Sequence, residues 1–66
     1  MESKDLNRIK LVLVEQKKTA KWLAEEIGKD PSTVSKWCTN SSQPSLDTLS
    51  KIADALSVKL SDLVNN

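Results

Sequence analysis

The side chains able to do chemistry in this chain of 66 residues are few, and their types narrow the options quickly. There is no histidine and a single cysteine, Cys38. That leaves no intrachain disulfide, no zinc ligand set built from Cys and His, and no imidazole to move a proton. Serines and carboxylates are present, yet without histidine, a clustered metal site or a glycine-rich phosphate loop nothing assembles them into a catalytic unit. Neither an enzyme nor a cofactor is expected. What remains is a polar cluster at helical spacing, Ser32, Ser35 and Lys36, with Thr33 at its edge. Hydroxyls and an ammonium on one helix face can make hydrogen bonds to a partner. On periodicity alone Lys36 is equally a solvated lysine on an outward face.

The elements that must position this cluster are legible as apolar periodicity. Residues 5–17 place Leu6, Ile9, Val12, Leu13 and Gln16 on one side of a first helix, with Leu11 and Val14 widening the stripe so that at least one is partly exposed. Thr19 reads as an N-cap for a second helix over 20–27, whose inner face is Ala20, Leu23, Ala24 and Ile27. Gly28 is its natural stop. Asp30-Pro31 then sets a capping carboxylate before a proline at the first helical position, opening a third helix over 31–38 that turns Val34, Trp37 and Cys38 inward. Residues 39–45 are uncharged and rich in turn formers, hence a loop. A fourth helix over 45–56 carries Leu46, Leu49, Ile52, Ala53 and Leu56, and a short fifth over 59–64 offers Leu60 and Leu63 after Val58. Residues 19–38 thus run helix, glycine-containing turn, helix, with small Ala24 where the two helices cross, which is the layout of a helix–turn–helix.

Bulk properties fit a single all-helical domain, 1–66 with its core in about 5–64. Leu, Ile and Val are 17 of the 66 residues, enough for a core, although a chain this short gains from dimerisation. The net charge of +1 says little until divided: residues 1–36 hold eight basic and six acidic side chains, residues 37–66 two and three. The longest apolar run, Leu11-Val12-Leu13-Val14, is far short of the roughly 20 residues of a membrane span. With no apolar segment at Met1-Glu2-Ser3-Lys4-Asp5 to act as a secretion signal, a cytoplasmic location without membrane contact is expected.

Several segments together resemble a known family. Thr19 to Gly28 (TAKWLAEEIG), then Ser32 to Trp37 (STVSKW), Pro44 to Leu49 (PSLDTL), Ile52 to Leu56 (IADAL) and Val58 to Leu63 (VKLSDL) are similar to the phage repressor and Cro-like, XRE-type, helix–turn–helix proteins. The likeness spans about residues 7–64. It implies a compact five-helix, lambda-repressor-like DNA-binding domain whose helix–turn–helix is formed by helices 2 and 3.

The resemblance also implies roles residue by residue. Ser32, Thr33, Ser35 and Lys36 would face base edges in the major groove, where an ammonium such as that of Lys36 can donate to guanine O6 and N7. Phosphate contacts would come from Thr19, Ala20 and Lys21 at the start of helix 2, from Lys29, and from Thr39, Asn40, Ser41 and Gln43 in the loop after helix 3. Lys17 and Lys18 would add diffuse attraction. Pro31 departs from the family's long polar residue and offers a base only van der Waals contact. Asn40 stands where the family usually has Gly, a position for left-handed geometry. Cys38 and Leu13 replace an acidic residue and an arginine that pair in the family, and both partners have become apolar together. Cys38 is therefore read as packing, not redox. For Trp22 two readings stand: packing on Val14 and the Lys18 stem, or contact with a partner.

The function implied is sequence-specific binding of double-stranded DNA as a transcription regulator, a repressor acting as a homodimer on an inverted repeat, with Leu60, Val64 and the loop near Pro44 at the dimer contact. The other class is a module with a protein partner, such as the antitoxin half of a toxin–antitoxin pair or a helical adaptor.

Overall fold

A computed structural model describes residues 6–64. Four α-helices follow one another, α1 Ile9–Glu15, α2 Ala20–Ile27, α3 Pro31–Cys38 and α4 Leu46–Leu56, before a single 3-10 turn at Leu60–Asp62. The packing is built around α2, which lies against both α3 and α4, while α1 closes on α3 and the 3-10 turn on α4. Ile9, Leu23, Val34, Ile52, Leu56 and Leu63 are its fully buried large side chains, one or more from each element or its flank. No helix among the described residues is long and apolar enough to cross a membrane.

The starts of three helices are fixed by side-chain caps, of which Thr19 and Asp30 were read from the sequence and Ser45, read there as the first residue of the fourth helix, is added by the structure. The Thr19 hydroxyl accepts from the Trp22 amide at 3.0 Å, the Asp30 carboxylate from the Ser32 amide at 3.1 Å, and the Ser45 hydroxyl from the Thr48 amide at 3.2 Å. Each satisfies one of the amides that a helix start leaves without a partner.

All four helices stop in the same way. A residue in left-handed conformation follows each: Lys17 (φ 59°), Gly28 (φ 71°), Asn40 (φ 61°) and Ser57 (φ 57°). The next amide in each case turns back to the carbonyl five residues earlier: Lys18 to Leu13, Lys29 to Ala24, Ser41 to Lys36, Val58 to Ala53, at 2.8–3.0 Å. A Cβ on Gly28 would meet nothing within 4 Å, so its backbone angle alone calls for glycine there.

Three expectations are corrected. The first helix is shorter than residues 5–17. Leu6 lies outside it and is 60% exposed, because the amides of Leu6 and Asn7 donate to the Asn40 side chain and that of Arg8 to the Leu63 carbonyl at 2.8 Å. Those bonds replace a helical turn. The fifth helix is only the 3-10 turn Leu60–Asp62, since the chain must straighten to pair Val64 with Asn7; the described residues therefore hold four α-helices. Leu46, expected on the inner stripe of α4, is 72% exposed: as the first residue of that helix it overhangs the core.

The non-glycine stops give a stability prediction. Left-handed geometry costs an L-residue about 1 kcal/mol that glycine does not incur. Lys17→Gly and Ser57→Gly, both exposed, should each raise unfolding stability by about 0.5–1 kcal/mol in urea titrations.

Candidate nucleic-acid interface

The polar cluster owes its position to what lies behind it. Val34 and Trp37 of α3 are buried in the core and Cys38 is half-buried beside them. Rotating α3 enough to expose Val34 and Trp37 would cost about 4 kcal/mol of apolar burial, which solvating serines cannot offset. Ser32, Ser35, Lys36 and Thr39 are consequently all exposed. At 3.6 residues per turn they form one stripe of about 100° of arc, with half-buried Thr33 at its margin.

The start of α2 sits in the same two-helix unit. Thr19 and Lys21 are exposed and Ala20 is half-buried. The Trp22 and Leu23 amides are taken up by Thr19, leaving the Thr19, Ala20 and Lys21 amides at the positive end of an eight-residue helix. Lys29 lies in the exposed turn after Gly28.

The loop after α3 is arranged differently from the expectation that its side chains point outward. The Asn40 carbonyl oxygen, Oδ1, accepts from the amides of Leu6 (2.8 Å) and Asn7 (3.0 Å) and from the Gln43 side chain (3.0 Å). Asn7 is buried and completes the clasp: its Nδ2 donates to the Trp37 carbonyl at 3.0 Å and to Gln43 Oε1 at 2.7 Å, and its Oδ1 accepts from Ile9. Asn40 and Gln43 thus bind the chain's own N-terminal segment. Thr39 donates its hydroxyl to the Lys36 carbonyl at 3.2 Å and lies 2.9 Å from the Ser41 hydroxyl. The Ser41 and Ser42 amides also converge on that carbonyl, at 2.9 and 3.3 Å. The loop is held as a rigid extension of α3. Asn7 was missed by reading the sequence, where it is one polar residue among Asp5, Leu6 and Arg8 with no local signal to set it apart.

Two further residues fall into place. Lys18 holds its ammonium 4.8 Å from the Trp22 ring centre, a cation–π contact, and the ring packs against the core edge. Of the two readings of Trp22, packing on Val14 and the Lys18 stem or contact with a partner, the structure gives a Lys18 contact made through the ammonium. Burial pushes the Cys38 thiol above its ordinary pKa, and nearby Lys10 partly opposes the shift. A thiol so placed is a poor nucleophile.

With this geometry in place, comparison with known proteins is decisive for the family. A helix-turn-helix family model matches residues 9–63, nearly the whole described chain. The chain belongs to the XRE-type helix-turn-helix family. Among solved structures it is similar to a "putative DNA-binding protein from Bacteroides fragilis", at 55% identity and a TM-score of 0.89, with 91% of this chain and 97% of that one covered. No curated protein matches it. Within the XRE-type frame, α2 and α3 are the two helices of the motif and Gly28 is in its turn.

The clasp and the thiol each yield a prediction. Asn40→Gly relieves a left-handed side chain but strips three donors of their acceptor, so it should destabilise by about 1–3 kcal/mol in thermal or urea unfolding. Because burial raises the Cys38 pKa, less thiolate exists in the folded chain at any pH below that value. Iodoacetamide should therefore alkylate Cys38 several-fold more slowly at mildly alkaline pH in buffer than in denaturing urea, read by mass spectrometry.

Proposed function

We propose that the chain is a sequence-specific regulator of transcription that binds double-stranded DNA, acting in the cytoplasm by binding and not by catalysis. The observation that carries this reading is the exposed stripe Ser32, Ser35, Lys36 and Thr39 on a helix whose opposite face is locked into the core. Such a helix enters the major groove as a rigid body and loses little entropy on binding. The 55% identity to a chain described as DNA-binding supports it.

In this reading Lys36 reads guanine O6 and N7, Ser32 and Ser35 select neighbouring base edges, and Thr33 reaches the margin of the groove. Pro31 packs on a thymine methyl. The Thr19, Ala20 and Lys21 amides hold one phosphate at the start of α2, with Lys21 and Lys29 adding charge. The loop contributes Ser41 and the outer surface of the Thr39–Gln43 turn, its shape fixed by the clasp. Two chains bind an inverted repeat about one helical turn apart, joined through Leu60, Val64 and the Pro44 loop, with exposed Leu46 extending that surface. Occupying such an operator blocks polymerase, which makes repression the simplest outcome.

Lys36→Ala tests the proposal. In anisotropy titrations on a duplex selected from a random pool it should weaken binding by about 1–3 kcal/mol and relax preference at one base pair, with the fold intact by circular dichroism. Unchanged selectivity would refute base reading by α3. A variant that loses DNA but still captures a protein partner is the signature of the antitoxin or adaptor class.

A further inference from the structure

Between α1 and the C-terminal half of α3 runs a groove whose α1 wall the roles above leave unused, and which reaches Ala20 at the start of α2. One hollow of about 290 Å³ is lined by Lys10, Val14, Lys18, Ser35, Cys38 and Thr39 among others. It adjoins a second of about 410 Å³, which shares Lys10, Val14 and Cys38 and adds Arg8 and Leu11. Among the described residues every charged side chain lining the two hollows is a cation. Leu11, Leu13 and Val14 give the α1 side of the groove an aliphatic lining. A cleft of one charge sign with low-dielectric walls concentrates its field, and here that field attracts an anion.

The two lysines are held differently. Lys18 is tethered by its cation–π contact with Trp22, 4.8 Å from the ring centre. Lys10 lies one helical turn before Leu13 and Val14, close enough to Cys38 to act on its thiol through space. Ser35 and Thr39 form the opposite wall and are also part of the exposed stripe of α3. An anion in the groove is therefore adjacent to whatever that stripe contacts.

We infer that the groove is a binding site for a backbone phosphate of the bound duplex, clamped between Lys10 and Lys18, with Trp22 as the positioning residue for the Lys18 ammonium. The inference rests on the DNA-binding reading and extends it, because it converts diffuse attraction at Lys18 into a located contact and adds Lys10 and Trp22. It also gives the paired apolar change at Leu13 and Cys38 a consequence: the floor carries no internal carboxylate to compete with phosphate for the lysines.

The test is the salt dependence of duplex binding by the full chain between about 50 and 200 mM KCl, where each phosphate contact contributes about 0.9 to the logarithmic slope. Lys10→Ala and Lys18→Ala are surface changes expected to leave folding intact. Each should lower the slope, the Lys10→Ala/Lys18→Ala double variant by about 0.9 in all for the single phosphate, and weaken selected and random duplexes by the same factor. Lys18→Arg should retain the slope. Trp22→Leu should lower it in the presence of Lys18 and cause no further drop combined with Lys18→Ala, a non-additivity that general destabilisation would not produce. Unaltered slopes in both lysine variants, with binding otherwise intact, overturn the clamp and leave base reading by α3 standing. A wild-type chain that binds no duplex even in dilute salt overturns both.

Discussion

The burial of Val34 and Trp37 is the interaction on which the rest of this molecule depends. Both side chains point from α3 into a core shared with Leu23, Ala24 and Ile52, and with them buried the helix has a single permitted rotation. Everything polar on α3 is thereby sent outward as a set. The exposed stripe is not specified by its own residues, since serines and a lysine are content at any solvated position. It is specified by the apolar residues on the opposite face, about half a turn away. In a domain whose largest extent is 34 Å, α3 cannot shift without disturbing the helix it packs on most closely, α2.

A second constraint fixes the ends of the helices. Each chain reversal uses one left-handed residue and one backward hydrogen bond over five residues, so the loops are short and stiff, although only one of the four such positions is glycine. At Asn40 the same residue does two things. Its backbone ends α3, and its side chain gathers the amides of Leu6 and Asn7. The segment before α1 is thereby tied to the end of α3, and through Arg8 and Leu63 to the 3-10 end of the domain. Three parts distant in sequence meet around one polar node, and a polar network that is fully satisfied rigidifies what it joins.

The division between what was legible in the sequence and what was not follows the range of the forces involved. α2 and α3 were readable to the residue because their boundaries are set within four positions by Thr19, Gly28, Asp30 and Pro31. α1 was overextended because its start is decided by acceptors more than thirty residues away, Asn40 and Leu63, which no local pattern reveals. Leu46 and Leu60 have the right spacing for core residues yet lie beyond the ends of the core they would join. In the site, the outward set on α3 followed from periodicity, whereas Asn40 and Gln43 did not. A loop asparagine has the same composition whether it faces a phosphate or its own chain, and only the fold brings Asn7 to it.

Electrostatics completes the argument. A net charge of +1 describes a nearly neutral chain, yet the field that a polyanion meets is set by where the charges are, not by their sum. Lys10 and Lys18 line the groove beside α3, Arg8 borders both that groove and a hollow shared with Glu15 and Asp62, and Glu26 and Asp54 are grouped with Lys51 between α2 and α4. Segregation of this kind gives a small protein an oriented approach to duplex DNA without the strong basicity that would hold it on any sequence. Under the proposed DNA-binding function, weak overall attraction leaves selectivity to the short-range contacts of α3, and those need α3 held still. The buried pair Val34 and Trp37 holds it still, and so the neutral composition and the rigid helix are two parts of the same solution.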